Sequence, residues 1–272
     1  MSFPERLAAG TFPVALEITP PQAPLPRVLL RRARLLGDAA CAINVIQRPN
    51  RQTSLEASIE LIAAGLHPVW HLVTRGRGRD EIVADLKRAA AGGVRQLLVI
   101  RGDHRAADAP GAPTIRETVA LAREHIPGAA IGATLNQYVA DRAAVLRNLF
   151  PKLEAGASYV QTQPVFDLEA LRPYGEALRE RHPGTAIVAM AMPLLELDAA
   201  DRIESRLKLA LPTSLRSRIE AGPEEAWAAF DELIAALAKS DIVDGLAIMT
   251  FEMDPSPEAG TRIVEALRKA DL

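Results

Sequence analysis

Cysteine is almost missing from these 272 residues, Cys41 being the one example. No internal disulfide can form, and a lone thiol in the apolar run 41–46 is expected to be an inert core group in a reducing compartment. No stretch reaches the roughly 18 uncharged apolar residues that a spanning helix needs. The start, Met1-Ser2-Phe3-Pro4-Glu5-Arg6, lacks the basic and then apolar pattern of an export signal. Neither sign of charge dominates: 32 Lys plus Arg face 34 Asp plus Glu, for a net charge of -2. Such a chain has no global field to draw it onto nucleic acid or an anionic membrane. The expectation is a cytoplasmic protein with neither as a partner.

The short signatures of several enzyme classes are missing too. There is no Gly-x-Gly-x-x-Gly, no phosphate-binding Gly-x-x-x-x-Gly-Lys-Ser/Thr and no Gly-x-Ser-x-Gly elbow. The five histidines are scattered without a metal-ligand spacing, so no metal is expected. A basic loop, Thr74-Arg75-Gly76-Arg77-Gly78-Arg79, reads either as solvated surface or as cover for an anionic cofactor tail.

What the chain does have is an alternation. Apolar runs at 14–19, 41–47, 69–74, 96–101, 129–134, 158–163, 186–192 and 244–250 read as strands. Helical spacing fills 25–36, 54–64, 80–91, 114–124, 139–154, 168–181, 199–209, 224–238 and 257–269. Eight repeats in a chain of this length suit a closed α/β architecture, a (β/α)8 TIM barrel of one domain over residues 1–272. The strands are near-continuous apolar runs, as expected where both faces of a parallel sheet are covered. Gly92-Gly93 and Gly156 end helices just before strands. The stretch 106–113 has the Ala, Gly and Pro content of a mobile surface loop.

A barrel of this kind carries its chemistry at the C-terminal ends of the strands. There the sequence places Glu17, His71, the tripeptide Arg101-Gly102-Asp103, Thr134, and the amides Gln161 and Gln163. Glu17 lies within an apolar first strand, where an ionised carboxylate is costly unless paired or used, and an inward Glu suits a general acid. Pairing with Arg48 or Arg101, or turning outward, is the plainer alternative. His71 is either a satisfied core imidazole or a hydrogen-bonding group for a bound ring or phosphate. Gly102 permits close approach to the backbone beside a guanidinium and a carboxylate, although a surface ion pair would look the same in sequence. Gln163 offers one donor and one acceptor to a heterocycle; Gln161 has the same strand parity and competes for that role.

Taken in order, Leu16-Glu17-Ile18-Thr19-Pro20-Pro21, Trp70-His71-Leu72-Val73-Thr74, Ile100-Arg101-Gly102-Asp103, Ala155-Gly156-Ala157 and Thr162-Gln163-Pro164-Val165-Phe166-Asp167 resemble the methylenetetrahydrofolate reductase family over roughly residues 12–252. The resemblance implies a (β/α)8 barrel that uses FAD to pass a hydride from NADH or NADPH to 5,10-methylenetetrahydrofolate, forming 5-methyltetrahydrofolate. It implies Glu17 as the acid that assists ring opening of the folate. His71, Arg101, Gly102, Asp103 and Thr134 then stand at the flavin, Lys152 near its phosphates, Asp103 also at the reacting pterin, and Gln163 against the pterin. The partners implied are the folate substrate and a nicotinamide nucleotide, with a homo-oligomer compatible with the pattern.

Three positions depart from the family. Ile46 stands where a Thr near the flavin is usual, Asn136-Gln137-Tyr138 replace an aromatic and a His, and Met190-Ala191-Met192 replace a Gly-containing strand end. Alternatives therefore stand beside the FAD-dependent reductase: direct hydride transfer from nicotinamide to folate, another folate-dependent one-carbon enzyme, or a non-catalytic folate- or flavin-binding subunit.

Overall fold

The computed structural model describes residues 3–102 and 109–272. Asp103 and the first three residues of the loop expected at 106–113 lie outside the described residues. The chain opens with helix α1 (Phe3–Ala8), followed by β1 (Val14–Ile18), α2 (Pro26–Ala33), β2 (Ala42–Val45), α3 (Ser54–Ala63), β3 (Pro68–Val73), α4 (Arg79–Ala91) and β4 (Gln96–Ile100). It continues through α5 (Ile115–His125), β5 (Ala130–Leu135), α6 (Arg142–Glu154), β6 (Tyr159–Pro164), α7 (Leu168–Arg181) and β7 (Ala186–Ala191). Helices α8 (Leu197–Leu207), α9 (Thr213–Ala221) and α10 (Pro223–Ala238) precede β8 (Gly245–Ile248) and α11 (Pro257–Lys269).

The strands pair in chain order and close into a barrel, β8 returning to β1 with Val14 opposite Leu246. All pairings are parallel, so the architecture is the (β/α)8 barrel expected. Outward-facing strand residues such as Leu16, Val45, Trp70 and Val160 join the helices in one large apolar core, which explains why the strands read as unbroken apolar runs.

Helix starts follow side-chain chemistry. Thr53 with Glu56, and Thr114 with Glu117, form capping boxes on α3 and α5. Asp141 accepts from Ala144 N at 2.9 Å, so α6 begins at Arg142, three residues later than the expected 139. The second strand stops at Val45 instead of 47 because Gln47 turns to α3, its Oε1 accepting from Ser54 N at 2.8 Å and Ser54 Oγ at 3.0 Å. Cys41 precedes that strand and is half-buried, its Sγ donating to Val14 O at 3.4 Å. It packs at the edge of the core, not inside it. Helices α1 and α9 were not expected from periodicity.

Inside the barrel two storeys are stacked. The lower one is apolar: Ala15, Ala42, Val69, Leu98, Tyr159, Val188 and Ala247 meet Phe3 of α1, which plugs the N-terminal end. The Tyr159 ring meets Phe3 edge-on at 6.1 Å, and it occupies the space that a Cβ on Gly132 would need. Two residues further along each strand, on the same inward face, stand Glu17, Asn44, His71, Gln161 and Met190. The upper storey, at the mouth, thus carries polar groups from β1, β2, β3 and β6.

Candidate functional site

Register brings the polar storey together. Glu17 is the Cα partner of Asn44 across β1 and β2, and Thr134 is the partner of Gln161 across β5 and β6. Asn44 Nδ2 donates to Gln161 Oε1 at 2.9 Å across the barrel. With its oxygen occupied, Gln161 turns its amide N–H toward Glu17, which it hydrogen-bonds. A relay therefore runs from Asn44 through Gln161 to Glu17.

Burial pushes the Glu17 carboxyl up to about 7, against the opposing pull of the Arg48 and Arg206 guanidiniums and of the Gln161 hydrogen bond. Glu17 is half-buried by surface area, yet dense protein surrounds its carboxyl on the inward side, and desolvation outweighs the two cations. Near neutral pH the group is split between acid and carboxylate, the condition a proton donor needs.

His71 is 3% exposed. Burial takes its imidazole down to about 3, so the ring is neutral at any ordinary pH. Its Nε2 is buried and has no hydrogen-bond partner among the described residues, an open polar valence on the inward face of β3. Arg101 is exposed just past β4, and its carbonyl accepts from Arg75 N at 2.9 Å, tying the ends of β3 and β4. Gly102 has φ +90°, and a Cβ there would stand 2.6 Å from Val73 Cγ1; only glycine fits. Asp103 lies outside the described residues.

The end of β6 is irregular, with a register shift between Gln161 and Pro164. Thr162 Oγ1 stands in for a ladder carbonyl by accepting from Met190 N at 3.0 Å, and it donates to Gln163 O at 2.7 Å. Bulges of this kind re-aim side chains beside active sites. Gln137 grips the same turn, its Nε2 donating to Gln163 O at 3.0 Å and its Oε1 accepting from Gln163 N at 3.1 Å. Tyr138 OH donates to Pro164 O at 2.6 Å. Both side chains at the β5 end are thereby committed to the backbone at the end of β6, while the carboxamide of Gln163 bonds to no other described residue.

Glu17 opens onto a cavity of about 570 Å³ between the ends of β1, β2 and β8, helix α8 and the loop after β8. Its floor is apolar, with Leu16, Ile18, Ile46 and Ile203, and four arginines, Arg32, Arg48, Arg202 and Arg206, line it. Of these, the sequence singles out only Arg48, as a pairing partner for Glu17. Arg202 and Arg206 carried no sequence signal, because an exposed basic helix face reads as solvated surface.

The positions implied for a flavin assemble in part. His71, Arg101, Gly102 and Thr134 stand on or just past the neighbouring strands β3, β4 and β5. Lys152 is not with them. It sits half-buried in the last turn of α6, without a partner among the described residues and lowered by burial; that helix runs away from the mouth toward the N-terminal side of β6. Among the described residues no helix is long and apolar enough to cross a membrane.

Comparison with known proteins bears on this geometry. The family model for methylenetetrahydrofolate reductase matches residues 2–265. Among solved structures, an uncharacterized protein from Clostridium thermocellum that binds two copies of 5-methyl-5,6,7,8-tetrahydrofolic acid superposes with a TM-score of 0.72 at 13% identity, over 96% of each chain. A 2,3-dimethylmalate lyase of the PEP mutase/isocitrate lyase superfamily follows at TM-score 0.51 and 12% identity, over 98% of this chain and 86% of that one. At these identities the likeness is one of fold. No curated protein matches the sequence.

Proposed function

Since this chain belongs to the methylenetetrahydrofolate reductase family, we propose that its mouth binds a reduced folate and that the protein reduces 5,10-methylenetetrahydrofolate to 5-methyltetrahydrofolate with NADH or NADPH. The observation that carries the reading is the buried Glu17, held by Gln161 and brought by burial to a proton affinity near neutrality. The folate-binding neighbour of the same fold supports the substrate class.

In this reading Glu17 starts as the neutral acid and delivers its proton to the folate as the five-membered ring opens, leaving an electrophilic iminium carbon to accept hydride. The relay from Asn44 and Gln161 keeps the carboxyl aimed into the mouth and steadies the carboxylate that remains. Gln163, set by the bulge in β6, meets the donor and acceptor edge of the pterin. The apolar floor excludes water from the reacting centre.

FAD is the proposed cofactor, with His71, Arg101, Gly102 and Thr134 at its ring, and it would supply the hydride at the folate face. A second reading has a specific observation behind it. Ile46 offers no polar group, and Gln137 and Tyr138 are committed to the β6 backbone, so the flavin side is poor in donors and direct transfer from the nicotinamide to the folate is the competing route.

The test is a visible spectrum of the purified protein with and without added FAD, followed by NADH or NADPH and then methylenetetrahydrofolate. Flavin bands that bleach with the nicotinamide and return with folate are the expected result. Consumption of the nicotinamide with folate and without flavin bands selects the direct route, and no consumption at all rejects the reductase.

A further inference from the structure

Helix α8 keeps opposite charges on opposite sides. With 3.6 residues per turn, Arg206 stands about 140–160° around the helix from Asp201 and Glu204. Both acids turn to α9, where one guanidinium takes them together. Arg216 Nη2 donates to Asp201 Oδ1 at 2.7 Å, and its Nη1 donates to Glu204 Oε2 at 2.9 Å. The other Glu204 oxygen accepts from Leu211 N at 2.7 Å. The third acid of the helix, Asp198, lies two turns before Arg206. Arg206 belongs to none of the close ion pairs among the described residues, and it lines the same cavity as Glu17 and Arg48.

The remaining charges of that cavity have other roles. Arg32 donates to Thr19 O at 2.8 Å and pairs with Asp254. Arg202 lies 5.8 Å from the Phe251 ring centroid, and Glu252 is exposed on the loop after β8. In the polar storey, Asn44 and Gln161 are amides and His71 is a neutral imidazole. Arg48, just past β2, and Arg206 are the two cations that act on the Glu17 carboxyl.

A guanidinium has little hold on a neutral carboxyl and a strong one on a carboxylate. Arg48 and Arg206 therefore favour the state reached once the proton has passed to the substrate, and water returns a proton to the acid between turnovers. Had Asp201 or Glu204 turned to Arg206, α8 would bring a neutral pair to the cavity instead of a cation. We propose that Arg48 and Arg206 are positioning residues for Glu17, their guanidiniums holding the carboxylate left when the proton departs, and that Arg216 of α9 keeps the acids of α8 away from Arg206 so that its charge reaches Glu17 uncancelled. The assignment rests on Glu17 as the proton donor of the reading above and gives α9 a part in it, although α9 contributes nothing to the lining.

Carbon-13 NMR of the Glu17 carboxyl, in protein labelled at glutamate Cδ and with the signal identified by its loss in Glu17→Gln, tests this without turnover. Arg206→Gln is expected to raise the titration midpoint by about half a pH unit. Arg48→Gln raises it as well, whereas Arg206→Lys keeps the charge and stays nearer the wild type. Arg216→Gln frees Asp201 and Glu204 to turn to Arg206; it also raises the midpoint, but adds nothing in the Arg206→Gln background. Salt raises the wild-type midpoint and has less effect in Arg206→Gln. Thermal melting checks that each variant is folded, and if Arg216→Gln is not, Arg206→Gln and Arg206→Lys decide. An unmoved midpoint in Arg206→Gln, an equal shift in Arg206→Lys, or full additivity with Arg216→Gln overturns the proposal. Shifts as expected in a protein that never oxidises NADH or NADPH uphold the charge arrangement and remove the reductase. In an active enzyme, a kcat limb that stays in place while the midpoint moves removes Arg206 from the reaction.

Discussion

At the scale of single residues, the upper storey of the barrel trades stability for chemistry at Glu17. Burial lifts its proton affinity to about 7 in the fold from an ordinary value near 4.5. The folded state therefore holds the proton more firmly than the unfolded chain, and the stability this provides is complete below pH 4.5 and lost as pH rises through 7. Glu17→Gln removes that penalty. The variant is expected to unfold at higher denaturant than the wild type at pH 8, by up to about 3 kcal/mol, with little difference at pH 4. The same substitution should lower folate reduction by about 100-fold or more, measured as nicotinamide oxidation; unchanged turnover would remove Glu17 from the mechanism. Because the neutral acid is the active form, kcat should fall as pH rises past about 7. Gln161→Leu tests the relay through that limb. Loss of a hydrogen bond that favours the carboxylate raises the proton affinity further, so the limb should move to higher pH, and a limb that stays in place denies Gln161 a positioning role.

Among the elements, β6 does the most to shape the mouth. Thr162→Val keeps the side-chain volume and removes the oxygen that satisfies Met190 N. A buried amide left without a partner costs about 1–3 kcal/mol, and a bulge that relaxes moves Gln163. The expected result is a lower Tm and a raised KM for the folate, with kcat less affected; an unaltered KM would separate the bulge from substrate binding. The strands themselves were legible because each is covered on both faces and so appears as an apolar run. Helix α9 was not, since in Thr213–Ala221 only Ile219 is buried and no apolar stripe marks it. Helix α1, of six residues, is too short for periodicity. Within the site, the parity of strand ends revealed Glu17, His71, Gln161 and Gln163. Asn44 escaped notice because its partner lies 117 residues away in sequence, and Arg202 and Arg206 because only the approach of α8 to the loop after β8 makes a cavity of them.

For the molecule as a whole, the two ends of the barrel have separate duties. The N-terminal end is closed by Phe3 packing on Tyr159, one storey below the polar groups. Phe3→Ala should lower Tm by about 5–10 °C without altering the KM for folate; a KM that shifts with the plug would mean that the storeys are coupled. Closure of the sheet has a further consequence, for biosynthesis. Strand β1 finds one of its two neighbours only in β8, where Val14 lies opposite Leu246, contacts about 230 residues apart along the chain. Until the last strand leaves the ribosome, the nascent sheet keeps two open edges of unpaired backbone and an uncovered apolar face. Such a chain is a natural client for holding chaperones during translation, and a nonsense mutation anywhere before residue 245 leaves a product suited to degradation or inclusion bodies rather than a weakened enzyme.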